Sequence, residues 1–178
     1  VTPNHPSIDG ILVEASELLK SSGKDPSFEG YQSRNPNRVQ EEVHAIYQAI
    51  ANRGIRYIGP PASFYETGQR IRLSSEVLEN AMGTCLDLTL LLCSCLEAIS
   101  LHPLILLLEG HSCLGYWLEE EFFQDPVLYD VATLRKRTAE GMGYIGVLET
   151  TSLREGLRLS FEEAAAQGLF AGTNAALQ

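Results

Sequence analysis

The stretch from Gly83 to Glu121 constrains this chain more than any other. Gly83-Thr84-Cys85-Leu86-Asp87 opens a long apolar segment that is interrupted by Asp87, Glu97, His102 and Pro103. Thr84 suits a helix cap and Asp87 suits the first turn, so the spacing predicts a helix over Cys85 to Ile99. Ser100 to Pro103 ends it, and Leu104 to Leu108 has the length and composition of a strand. Cys113 to Leu118 predicts a second strand, with Gly110 between the two, and Gly143 to Thr150 predicts a third.

Helices are expected on either side of this region. Ile8, Ile11, Leu12, Ala15, Leu18 and Leu19 recur at helical spacing over Ile8 to Lys20. Val39, Val43, Ile46, Tyr47 and Ile50 do so over Pro36 to Asn52, with Asn35 as cap and Gly54 as terminator. Ser74 to Leu78 reads as a short serine-capped helix, and Val131 to Thr138 as another. Ser160-Phe161-Glu162-Glu163 is a capping box for a last helix ending near Gly172. Helices first, then strands, then late helices point to an α+β fold with an antiparallel sheet.

The length of 178 residues fits one domain, and an apolar content of 44 % is enough for a proper core. Thirteen basic against 23 acidic residues give a net charge of −10, which argues against direct nucleic-acid binding by this piece. Arg135-Lys136-Arg137 is too short to count as a basic stripe. No apolar run reaches the roughly 18 residues that span a bilayer, so no membrane partner is expected. The chain starts Val1-Thr2-Pro3-Asn4-His5-Pro6, with neither a signal peptide nor an initiator Met, as expected of a fragment of a larger protein.

The cysteines are Cys85, Cys93, Cys95 and Cys113, three of them in one helical segment. A disulfide framework would spread them over loops, so reduced thiols and a cytoplasmic location are expected. Cys93 and Cys95 lie two apart on a helix and point about 200° from each other, and there is no Cys-x-x-Cys pair. No metal and no cofactor is expected, and the absence of a phosphate-binding loop excludes ATPase chemistry in this piece.

Cys85 is the residue with chemical promise. A thiol at a helix start faces unpaired N–H groups and the positive end of the dipole, and both favour the thiolate. Asp87 would oppose the thiolate if its side chain lay near the sulfur. Of the four histidines, His111 is the best base. Read singly, Cys85 is a small buried helix residue and His111 a hydrogen-bonded strand residue. Trp117 reads as core packing.

The pattern as a whole carries more. Gly83-Thr84-Cys85-Leu86-Asp87-Leu88, then Leu96-Glu97, His102-Pro103-Leu104, Gly110-His111 and Gly115-Tyr116-Trp117-Leu118, resembles the transglutaminase-like superfamily. Within it, Gly30-Tyr31-Gln32, Pro61-Ala62-Ser63-Phe64, Gly68-Gln69 through Trp117 and Glu149-Thr150-Thr151 are most similar to one group. That group is the transglutaminase-like domain near the N-terminus of large bacterial proteins that also carry a superfamily 1 helicase. The resemblance implies a papain-like core, with N-terminal helices and the nucleophile helix packed on a small antiparallel sheet. It implies a triad of Cys85, His111 and an acid, for protease, amidase or transglutaminase chemistry on a protein or peptide substrate.

The family's acid is usually Asp, where this chain offers Glu149, with Asp125 and Asp130 as rivals. Gln69 is a candidate oxyanion donor with a structural role as its alternative, and the Cys85 backbone N–H is the better first donor. The other domains of the larger polypeptide are the expected partners. The competing expectation is a catalytically silent interaction or regulatory module within such a helicase-type protein.

Overall fold

In a computed structural model, residues 1–59, 68, 70–138, 143–157 and 159–174 are described. The architecture is α+β. Two long helices come first, α1 (Pro6–Ser21) and α2 (Pro36–Ala51), followed by α3 (Ser74–Asn80), α4 (Cys85–Ala98), α5 (Val131–Thr138) and α6 (Phe161–Asn174). The strands are β1 (Arg56–Tyr57), β2 (Met82–Gly83), β3 (Pro103–Leu108), β4 (His111–Trp117) and β5 (Ile145–Leu148).

The α2 start follows the sequence closely. Asn35 accepts the Asn37 N–H at 3.1 Å, and Pro36 takes the first turn, where no N–H is needed. The Ser160 box also forms, with Glu163 N–H donating to the Ser160 hydroxyl at 3.2 Å and Ser160 N–H to the Glu163 carboxylate at 2.8 Å. The serine cap expected on α3 does not form. Leu73 takes the cap position, its N–H donates to Glu76 at 2.9 Å, and Ser74 is already helical and buried.

Helix α4 is the centre of the core. Leu88, Leu91, Leu92, Cys93, Cys95 and Leu96 are at most 1 % exposed, so the helix is apolar around its circumference. It packs on β3 and β4 on one side and on α1, α2 and α3 on the other. The sheet order is β3-β4-β5, antiparallel throughout, with Leu108 opposite His111 and Leu114 opposite Leu148. A separate two-residue parallel bridge pairs Tyr57 with Gly83. The sequence does not reveal this bridge, because two residues carry no periodicity.

Helix α6 covers β5 at backbone contact distance. The Glu149 N–H donates to the Ala164 carbonyl at 2.9 Å. A Cβ on Gly168 would stand 3.0 Å from Leu148 N, Leu148 C and Glu149 N. Alanine is the better helix former by about 1 kcal/mol. A clash against strand backbone cannot be relieved by a rotamer change, however, and overpacking of this kind costs about 1–3 kcal/mol. Gly168→Ala is therefore expected to lower the urea midpoint at an unchanged slope. A stabilised variant would mean that the helix does not lie this close.

Candidate active site

The structure brings Cys85, His111 and Glu149 together at one end of the sheet. Cys85 is the first residue of α4, His111 the first of β4, and Glu149 follows directly on β5. Continuing the β4–β5 register by one residue sets Glu149 opposite Cys113, diagonal to His111 on the same face. Glu149 lies just past the strand and caps a 3₁₀ turn over Thr150–Leu153, a turn that no sequence pattern announces.

His111 Nε2 lies 2.8 Å from Glu149 Oε2. The other carboxylate oxygen accepts the Thr151 N–H at 2.8 Å and the Thr151 hydroxyl at 2.7 Å. Glu149 is therefore fixed through both oxygens and is only 7 % exposed. Burial pushes its carboxyl up, but the hydrogen bonds from His111 and Thr151 outweigh that and hold it below its ordinary value. With Nε2 committed to Glu149, Nδ1 is the nitrogen left for Cys85.

The Cys85 thiol is in hydrogen-bonding contact with His111 and with both the hydroxyl and the backbone of Ser112. Burial alone would raise its pKa. The His111 and Ser112 contacts reverse that and bring it down to about 7. His111 moves the other way, to about 10, first through Cys85 and then through Glu149, with burial opposing. Between those two values the pair is a thiolate beside an imidazolium.

Asp87 does not oppose the thiolate. Its carboxylate accepts the Thr84 N–H at 2.9 Å, the Arg72 N–H at 2.8 Å and the Arg72 guanidinium at 3.0 Å. Its charge is thus spent on the cap and on Arg72, while Thr84 accepts the Asp87 N–H at 3.3 Å in return.

Three buried hydroxyls lie behind the thiol. Thr89 donates to the Cys85 carbonyl at 2.9 Å, and Thr150 lies 3.3 Å from both the Cys85 and the Ser112 carbonyl. Thr89 is also 3.2 Å from Thr150 and 3.4 Å from Ser112. The cluster ties α4, β4 and the 3₁₀ turn to one another at the point where they carry the three site residues.

Tyr57 was not singled out by sequence. The β1–β2 bridge places it beside Gly83, two residues before Cys85, and its phenol is in hydrogen-bonding contact with the thiol. Burial, then the charge and hydrogen bond of Cys85, keep the phenol protonated well beyond neutral pH. The nearest sequence signal was Gly83 itself, which hints at a close approach but not at the partner.

The remaining expectations fall elsewhere. Asp130 accepts from Ala132 N–H and the Thr133 hydroxyl at the start of α5 and is exposed, as is Asp125. Gln69 lies outside the described residues. Trp117 is buried against Phe123, with Arg137 over its ring. Cys93, Cys95 and Cys113 are buried, and burial raises all three thiols, Cys93 and Cys113 to about 12. Among the described residues no helix is long and apolar enough to cross a membrane. In comparison with known proteins, the chain matches no family model, and no solved structure matches it.

Proposed function

We propose that this domain is a cysteine-dependent acyl-transfer or amide-hydrolysis enzyme of transglutaminase-like type. The observation that supports this reading best is the continuous chain of contacts from the Cys85 thiol through the His111 ring to the Glu149 carboxylate. A structural buried cysteine needs no such chain.

In the proposed reaction the Cys85 thiolate attacks an amide carbonyl and forms a tetrahedral oxyanion. The Cys85 backbone N–H, in the first turn of α4 where helix N–H groups have no carbonyl partner within the helix, is the donor offered to the developing charge. His111, which has kept the thiol proton, gives it to the leaving amine as the C–N bond breaks. That leaves a thioester on Cys85 and a neutral imidazole. An incoming water or amine loses its proton to His111 and attacks the thioester, which restores the thiolate–imidazolium pair and releases acid or amide. Glu149 holds the ring in orientation and favours its charged form throughout.

The test uses brief iodoacetamide treatment of the native protein at pH 7, followed by peptide mass mapping. Modification at Cys85 ahead of Cys93, Cys95 and Cys113 is the expected result. A companion reaction with p-nitrophenyl acetate should add one acetyl group at Cys85 that hydroxylamine removes. Uniformly slow labelling, or first labelling at another cysteine, would leave the domain as a binding module.

A further inference from the structure

A cleft of about 550 Å³ lies against Tyr57. Its lining is Arg56, Tyr57, Arg154, Glu155, Gly156 and Leu157. Tyr57 belongs to both cleft and site, because its phenol also contacts the Cys85 thiol. A group held in this cleft therefore lies against the same side chain that touches the thiol.

The charges of the cleft are not equivalent. Arg56 is engaged, with its Nε 3.7 Å from the Glu155 carboxylate. Among the described residues no carboxylate lies within ion-pair distance of the Arg154 guanidinium. The backbone that carries it is held from two sides. The Arg154 N–H donates to the Thr151 carbonyl at 3.2 Å, ending the turn that begins at Glu149, and the neighbouring Glu155 N–H donates to the Ile55 carbonyl at 2.8 Å, beside β1. An exposed arginine with no carboxylate partner among the described residues thus projects from an anchored stretch of backbone into the cleft that Tyr57 also lines, in a protein whose net charge is −10. An anionic substrate approaching such a surface is repelled everywhere except where a cation is left uncompensated. Guanidinium also matches the planar carboxylate in geometry.

We infer that the cleft selects an acyl donor bearing a carboxylate next to the scissile amide, and that Arg154 is the residue that reads it. This rests on the reading of Cys85 as the nucleophile. Arg154 is a specificity residue rather than part of the bond-breaking machinery.

The experiment compares rates of Cys85 alkylation by N-iodoacetylglycine and by N-iodoacetylglycinamide at pH 8 and low salt. The two probes share a reacting carbon and differ in one carboxylate. Arg154→Gln is expected to lower the acid-to-amide rate ratio about fivefold, the size of one solvent-exposed charge contact. The ratio should hold in Arg53→Gln, which removes the same charge from a pair with Glu14 on α1, and should fall only in part in Arg154→Lys, which keeps the charge but loses the planar fork. Raising the salt to 0.5 M should erase most of the wild-type advantage. N-iodoacetyl-aspartic acid α-amide, run against its asparagine counterpart, tells a side-chain carboxylate from a terminal one by which probe pair shows the Arg154 dependence. Fast alkylation with ratios indifferent to Arg154 in both pairs overturns the inference while leaving the nucleophile intact. Slow alkylation by every probe overturns both.

Discussion

Replacing His111 with alanine is expected to move the midpoint of Cys85 alkylation from about pH 7 to pH 9 or above. The ordinary thiol value is 9.0, and the burial that remains in the variant pushes only upward. The rate effect has two opposing parts. At pH 6 a shift of two units lowers the thiolate population about 100-fold, while the more basic thiolate is about eightfold more nucleophilic. Alkylation at pH 6 should therefore slow by about tenfold, and the order should reverse above pH 10, where both thiols are ionised. Glu149→Gln keeps the ring but removes the charge that favours imidazolium, so its midpoint should fall between the two. The sign follows from the direction of the shifts. A lowered thiol pKa gives reactivity that appears as pH rises through the folded value, and a raised imidazole pKa preserves the ion pair until about pH 10. A His111→Ala profile that overlays the wild type would remove the histidine from any role in activating the thiol.

Asp87→Ala is expected to be the most damaging substitution for stability near the site. Asp87 is 1 % exposed and accepts two backbone N–H groups and one guanidinium. Alanine leaves the Thr84 and Arg72 donors without acceptors and strips the buried side of Arg72 of its counter-charge. Losses of this kind cost about 3 kcal/mol or more. For a chain of this size that corresponds to a fall of roughly 6–12 °C in melting temperature. Asp87→Asn retains an acceptor for one N–H and should lose about half as much. Because the same carboxylate caps the helix that presents Cys85, the alanine variant should also label more slowly at temperatures where it is still folded. A melting temperature within 2 °C of wild type would show that the cap is dispensable.

The features legible in the sequence are those with a local cause. The α2 stripe, the Asn35 and Thr84 caps, the Ser160 box and the strand-length run after Pro103 each depend on neighbours within a few residues, and each appears close to its expected place. Cys85 at the start of α4 was readable for the same reason, whereas β4 begins at His111, two residues before the expected Cys113. Glu149 was reachable only through the superfamily pattern, since nothing local separates it from Asp125 or Asp130. Contacts between residues far apart in the chain left no trace. The Tyr57–Gly83 bridge, the Asp87–Arg72 pair and the Thr89–Thr150 hydroxyl contact span 26, 15 and 61 positions, and no periodicity encodes them. Asp87 shows the cost of reading locally. From sequence its charge seemed a threat to the thiolate, whereas its hydrogen bonds direct that charge to the cap and to Arg72.

The hydroxyl cluster of Thr89, Ser112 and Thr150 has a consequence for the life of the chain before it is folded. It joins three segments that are made at different times, and the last of them emerges well after the cysteine. Until Thr150 docks under the Cys85 carbonyl and Glu149 reaches His111, Cys85 is an ordinary thiol, with the same small thiolate fraction at neutral pH as the other three cysteines of the unfolded chain. The lowered thiol pKa thus arrives only with completion of the fold, so an unfinished or damaged chain carries four ordinary thiols and no activated one. In a refolding reaction, the appearance of one fast thiol among four would mark the moment at which the last strand arrives.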